Sequence, residues 1–187
     1  MWGLEWRALS AELMVKDVTE QAALVRRGEV SALELVDAAI ARLEDKRELN
    51  VLVHEQFEAA RAEAARPLRD GPLAGVPFLL KDLGQSQAGV PERMGSRALR
   101  DHVPSETAWT VERYLAAGLI ICGRTNTAEF GNHCATEPAL FGRTLNPWKP
   151  ELSPGSPKRR PPVKVMRTSG ATKVLAFTGS GIIEASR

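Results

Sequence analysis

Lys81 is the residue whose type and position best suit chemistry. It ends the run Gly75-Val76-Pro77-Phe78-Leu79-Leu80, which is apolar without alternation and reads as a buried strand. A lysine at such an edge would emerge with little water behind it. Desolvation disfavours the charged form of an amine, so a lysine so placed suits a general base or an activated nitrogen. Read alone, the same residues also fit a lysine paired with Asp82 on a surface turn. Other reactive side chains are scattered. His54, His102 and His133 have no carboxylate or cysteine at ligand spacing, so structural or solvated roles are expected for them. Cys134 follows His133, but neighbours on one chain rarely face each other, and a bland buried thiol is the expectation. Trp2, Trp6, Trp109 and Trp148 share no period and read as packing residues. Neither G-x-G-x-x-G nor G-x-x-x-x-G-K-[ST] occurs, so no nucleotide loop is signalled.

The elements that must hold Lys81 follow from periodicity. Asp17-Val18-Thr19-Glu20 fits a capping box opening a helix to about Arg27, with Gly28 as its stop. Ser31-Ala32-Leu33-Glu34 opens a longer helix with Leu33, Val36, Ile40 and Leu43 as its apolar stripe. A short strand at Asn50–Val53 and a third helix at Phe57–Ala65 come next. After the strand ending at Lys81, the stretch Gly84–Pro104 reads as irregular. A helix over Glu106–Ala117, the buried strand Leu119–Cys122 and a short helix near Ala128 complete the pattern. Strand, helix and strand in that order predict a parallel pair in an α/β fold.

The chain has 187 residues, 43% hydrophobic and 26% charged, enough apolar material to exclude wholesale disorder. The longest apolar run, Ala116–Cys122, is far short of the ~20 residues of a membrane span. The first residues lack a basic segment followed by an apolar stretch, so no secretion signal is expected. Two cysteines make no disulfide framework, and reduced thiols in the cytoplasm are expected. Charge is uneven. Residues 1–156 carry 18 basic and 22 acidic side chains, whereas residues 157–187 carry seven basic and one acidic. Pro154, Pro157, Pro161 and Pro162 fall together at that boundary. Two parts are therefore expected, a folded 1–156 and a basic, Pro-rich, poorly ordered tail 157–187.

Three ordered segments carry a resemblance to a known family. Gly75–Asp82 resembles the lysine motif of the amidase signature family. Ala117–Gly131 is similar to its next strand–helix segment, and Phe141-Gly142-Arg143-Thr144-Leu145-Asn146-Pro147-Trp148 resembles its approach to the catalytic serines. The similarity runs from about Asp17 to Pro154 and within the family leans to the branch that hydrolyses cyclic aminohexanoate (nylon) oligomers. It implies the N-terminal portion of an α/β/α fold with a mixed central sheet, here incomplete. It implies hydrolysis of carbon–nitrogen amide bonds by a serine nucleophile, a second serine preceded by a cis peptide, and a lysine base, here Lys81. A weak hydroxyl becomes a nucleophile once a base takes its proton, and backbone N–H groups would hold the developing oxyanion. No metal or cofactor is implied, and the partner is a small-molecule amide.

The chain then departs from the family pattern. Ser153-Pro154-Gly155-Ser156 is followed by Pro157-Lys158-Arg159-Arg160-Pro161-Pro162, where a Gly/Ser-rich loop and an Ala-rich helix should stand. Arg-Arg-Pro-Pro can be encoded CGG-CGG-CCG-CCG, which read two bases later gives three alanines. An out-of-frame tail after Gly155 would explain the departure. Against this, Ser156 lies 75 residues after Lys81 and Ser180 a further 24, separations that resemble those of the family's relay serine and nucleophile. Thr178-Gly179-Ser180-Gly181 fits a nucleophile turn, though its flanks do not match. Asn132, in the loop after the short helix, could face substrate or serve a turn.

The fragmentary resemblance predicts an open sheet edge and an inactive or weakly active product. A complementing chain or a homo-oligomer would supply what is missing. The rival reading is a non-catalytic protein whose basic tail binds acidic partners or nucleic acid. That tail lacks the interleaved aromatics that stack on bases.

Overall fold

Helix N-termini are set by side chains that occupy otherwise orphaned backbone donors. The carboxylate of Asp17 accepts from the Glu20 N–H at 2.8 Å and starts α1 (Val18–Arg26). Gly28, at φ +70°, turns the chain out of the helix. Ser31 and Glu34 form both halves of the expected capping box and start α2 (Ala32–Asp45). The computed structural model describes residues 12–154, and the backbone of two further strands at 175–178 and 181–184. Ser156, Ser180, Trp2, Trp6, the proline cluster from Pro157 on and most of the expected tail lie outside the described residues.

The next elements are β1 (Leu52–Glu55), α3 (Phe57–Ala64), β2 (Pro77–Lys81), α4 (Trp109–Ala116) and β3 (Ile120–Thr125). The sheet order is β1-β3-β2. β2 and β3 run parallel, as strand–helix–strand succession requires, whereas β1 pairs antiparallel with β3, so the sheet is mixed. In the C-terminal stretch β4 (Leu175–Thr178) and β5 (Gly181–Glu184) form an antiparallel pair. The short helix near Ala128 is a single 3₁₀ turn at Glu129–Gly131.

Side chains on β2 alternate between two cores. Phe78 and Leu80 join Leu119, Ile121, Val111 of α4 and Ala22 and Leu24 of α1 in one cluster. Leu79 joins Ile120, Cys122 and Phe57, Ala60 and Ala64 of α3 in the other. The sheet is thus covered on both faces, which is why β2 reads as continuously apolar. α2 serves both layers, with Leu35 and Ala38 in the first and Ala32, Val36 and Ile40 in the second. Its expected stripe needs one correction: Leu33 is on the outer side and exposed, and Leu35 takes the buried place. Two covered faces widen the buried arc of a helix beyond a single stripe.

Two glycines are required by close approach. A Cβ on Gly118, at φ +90°, would lie 2.6 Å from the Ala74 Cα, beside the Gly75 N–H bond to the Gly118 carbonyl. A Cβ on Gly123 would lie 2.5 Å from the His54 carbonyl oxygen across the β1–β3 pair.

Candidate active site

Covered on both faces as far as Leu80, β2 delivers Lys81 at its C-terminal end, level with Thr125 at the end of β3. The Lys81 side chain is exposed. The water-poor perch expected from the sequence is not built by the described residues, because the cover of both layers stops one residue earlier. The surface pairing with Asp82 is not formed either. Asp82 is 1% exposed, and its Oδ1 accepts the Arg93 N–H at 3.1 Å.

What holds Lys81 lies beneath it. Its N–H donates to Gln85 Oε1, and its carbonyl accepts from Arg124 Nη1 at 3.3 Å. Arg124 Nη2 donates to the Gln85 carbonyl at 2.9 Å. The guanidinium is fully buried, as is Glu92, whose Oε1 stands 3.9 Å from Nη1. Glu92 also accepts the Gln85 N–H at 3.0 Å and the Ser86 hydroxyl. Residues 81–93 therefore form a loop stitched shut at its neck around one buried cation. Burial pushes the Asp82 carboxyl up, opposed by the Arg93 N–H and by Arg124. Burial works against the charged guanidinium of Arg124, opposed by Glu92 and Asp82. Among the described residues, Asp82 Oδ2 and Arg124 Nε have no hydrogen-bond partner.

A second set of polar side chains positions the strap that follows the 3₁₀ turn. The Asn126 side chain donates to the Gly142 carbonyl and to Thr144 Oγ1, both at 3.0 Å. Asn50, left-handed at φ 52°, donates to the carbonyls of Phe141 and Arg143 at 2.9 and 3.1 Å. These bonds pin residues 141–144 across the ends of β1 and β3 and aim Asn146-Pro147-Trp148 onward. Asn132 is exposed, and its N–H closes the 3₁₀ turn on the Glu129 carbonyl at 3.1 Å. That turn lies against the Lys81 loop: a Cβ on Gly131 would meet Leu83 at 2.8 Å. Asn132 thus shares an end of the sheet with Lys81, while Ser156 and Ser180 lie outside the described residues.

Other candidates separate cleanly. Cys122 is buried, with its thiol pushed up to about 12 by desolvation. Cys134 is exposed rather than buried, so that expectation is corrected. Trp109 and Trp148 are 65% and 66% exposed and do not pack in the core, although Trp109 carries the Arg113 guanidinium 4.8 Å above its ring. His54 sits on β1 opposite Arg124, and burial, with Arg93 and Arg124 nearby, pulls its pKa down. Among the described residues no helix is long and apolar enough to cross a membrane.

Arg124, Glu92 and the Asn50–Asn126 clamps escaped sequence reasoning. One signal was present. An arginine two residues beyond Ile120-Ile121-Cys122, in the same buried strand, must find counter-charges, and acids stood at 82 and 92.

Comparison with known proteins converges on one family. Residues 34–156 match the family model described as Amidase. The 6-aminohexanoate-cyclic-dimer hydrolase of Paenarthrobacter ureafaciens is 41% identical over 136 residues, covering 71% of this chain and 27% of the relative. A glutamyl-tRNA(Gln) amidotransferase subunit from Lachnospira eligens is 41% identical over 144 residues, covering 73% and 30%. The solved structure of 6-aminohexanoate cyclic dimer hydrolase complexed with substrate superposes with a TM-score of 0.72 at 40% identity, covering 76% of this chain and 30% of that one. The chain spans under a third of the length of these relatives.

Proposed function

The chain belongs to the amidase family, and we propose that it carries the base of an amide-hydrolysing serine–serine–lysine site, Lys81. The observation that carries this reading is the delivery of Lys81 to the end of a doubly covered strand, its N–H donating to Gln85 of the loop and its carbonyl accepting from Arg124. Ser156 is the relay and Ser180 the nucleophile, on the strength of their separations from Lys81. The Ser180 hydroxyl gives its proton to Ser156, whose own proton passes to Lys81 Nζ. The Ser180 oxygen adds to the amide carbonyl carbon. The carbon–nitrogen bond then breaks, and the leaving nitrogen takes the proton back through the same relay. Water hydrolyses the resulting ester and frees both the acid and the serine. Asn132, exposed beside the turn that lies against the Lys81 loop, would meet substrate there.

The substrate class is a small amide, and the cyclic dimer of 6-aminohexanoate is the first compound to try. The exposure of Lys81 supports a further part of the reading. Taken alone, the 187-residue chain turns amides over weakly or not at all, because the described residues leave the Lys81 amine in water, without the desolvation that frees a lysine's lone pair for a serine proton. A second copy or a complementing chain covering the end of β2 would raise the rate. The test is a fluorophosphonate probe and an amide hydrolysis assay on the wild-type chain and on Lys81→Ala. Labelling at Ser180 that disappears in Lys81→Ala supports the reading. Labelling unaffected by Lys81→Ala overturns it.

A further inference from the structure

The carbonyl oxygens of Lys81 and Gln85 converge on one guanidinium from four residues apart in sequence. Both terminal nitrogens of Arg124 are used, one on each, and the side chain is wholly shut away from water. Its counter-charge, Glu92, is equally buried and spends its oxygens on the Gln85 N–H and the Ser86 hydroxyl, so it ties the same loop from the other side. Asp82, the residue after the lysine, is anchored by the Arg93 N–H and donates its own N–H to the Thr125 carbonyl at 3.1 Å. Among the described residues, the hydrogen bonds that the Lys81 N–H and carbonyl make to side chains therefore run to Gln85, which Arg124 and Glu92 both hold, and to Arg124 itself.

We propose that Arg124 is the positioning residue for Lys81, its planar fork fixing the direction in which the lysine leaves the sheet. This rests on the reading of Lys81 as the base and deepens it. A charge-balancing role for Glu92 alone would need only a cation. The fork does more, because it offers one donor to each carbonyl at a spacing and in a plane fixed by its own geometry, which an ammonium on a flexible stem does not. Burial makes the fork rigid: an exposed arginine would trade these carbonyls for water, and a buried one has no alternative partner.

The test uses the full 187-residue chain and reads the pH profile of acetic anhydride labelling at each lysine by mass spectrometry, with Lys46, exposed at the far end of α2, as internal reference. Arg124→Lys keeps the charge and loses the fork. Arg124→Met with Glu92→Gln removes the buried pair at similar volume. Positioning by the fork predicts that Arg124→Lys alone shifts the Lys81 profile, changing the Lys81-to-Lys46 ratio by about threefold or more, since an amine leaving the sheet in another direction faces different neighbouring charges. A profile that moves only in the double variant assigns Arg124 a purely electrostatic role and overturns the proposal. So does a lowered melting temperature with an unmoved profile, which marks a merely structural residue. Should Arg124→Lys fail to fold, Ser86→Ala loosens the Glu92 tether without touching the buried cation. A smaller shift of the Lys81 profile in the same variant supports the proposal, and none overturns it. Fluorophosphonate labelling of wild type and Lys81→Ala is measured in parallel. A moved profile with labelling that Lys81→Ala leaves unchanged keeps the positioning intact and removes the hydrolytic reading instead.

Discussion

Asn126 and Thr144 are joined by a buried hydrogen bond of 3.0 Å, side chain to side chain, and the Thr144 hydroxyl donates in turn to the Asn50 carbonyl at 2.8 Å. The end of β3, the turn before β1 and the strap at 141–144 thereby share one polar knot. Asn126→Ala removes three bonds, the third being the Thr127 N–H that Oδ1 accepts at 2.9 Å, and leaves the Thr144 hydroxyl and the Gly142 carbonyl short of a donor. The expected loss is about 1–3 kcal/mol of stability, read by urea unfolding. Hydrogen exchange should rise at Thr144 and Leu145, whose N–H groups bond Thr136 and Leu49, before it rises in β3.

Ser31→Ala removes the N-cap acceptor of α2 together with the hydroxyl bonded to Glu34. About 1 kcal/mol of destabilisation is expected, and Ser31→Asp should restore most of it. Thermal unfolding of the three proteins checks the order.

How much of this was legible beforehand depended on range. The caps of α1 and α2 were readable because a cap joins residues only three apart. β2 and β3 were readable because both faces are covered, which leaves no polar position inside either run until Arg124. The placement of Leu33 and of the two exposed tryptophans was not readable, since a helix serving two layers and a ring lying on the surface are decided by distant partners. The same holds for the candidate site. Lys81 announced itself by ending an apolar strand, but the buried loop neck beneath it depends on Arg124, 43 residues later. Asn50 and Asn126 look like ordinary turn residues until the strap about 90 residues past Asn50 comes back to meet it.

Asp82 gives a pH signature. Burial raises its folded pKa above the unfolded value of about 3.9, with Arg124 and the Arg93 N–H opposing and Glu92 adding to the rise. A raised carboxyl favours the folded state fully below the unfolded pKa, and that contribution fades as pH climbs through the folded pKa. Asp82→Asn keeps an acceptor for the Arg93 N–H and cannot ionise. The stability difference, variant minus wild type, should therefore grow between about pH 3 and neutrality, measured by urea unfolding at several pH values. A difference independent of pH would contradict the assignment.

The two thiols should part company under alkylation. Cys134 is exposed and reacts with iodoacetamide in the native chain, while Cys122, buried with its thiol pushed up to about 12, does not until the chain unfolds. Mass mapping after native and denatured labelling gives the answer directly.

Gly118→Ala forces a methyl to within 2.6 Å of the Ala74 backbone at a φ of +90°. The expected cost is about 1–3 kcal/mol from the backbone conformation, with the clash added to it. Because Gly118 leads into β3, the variant should loosen Ile120 in exchange experiments ahead of Thr125 at the far end of the strand.

α2 contributes buried side chains to both hydrophobic layers, and Val25 of α1 packs against both as well. Departure of α2 would strip buried side chains from both layers at once. Residues 18–125 are accordingly expected to hold together or come apart as one cooperative unit, so damage in either layer should reach Lys81 as a change in the fraction of molecules folded at all.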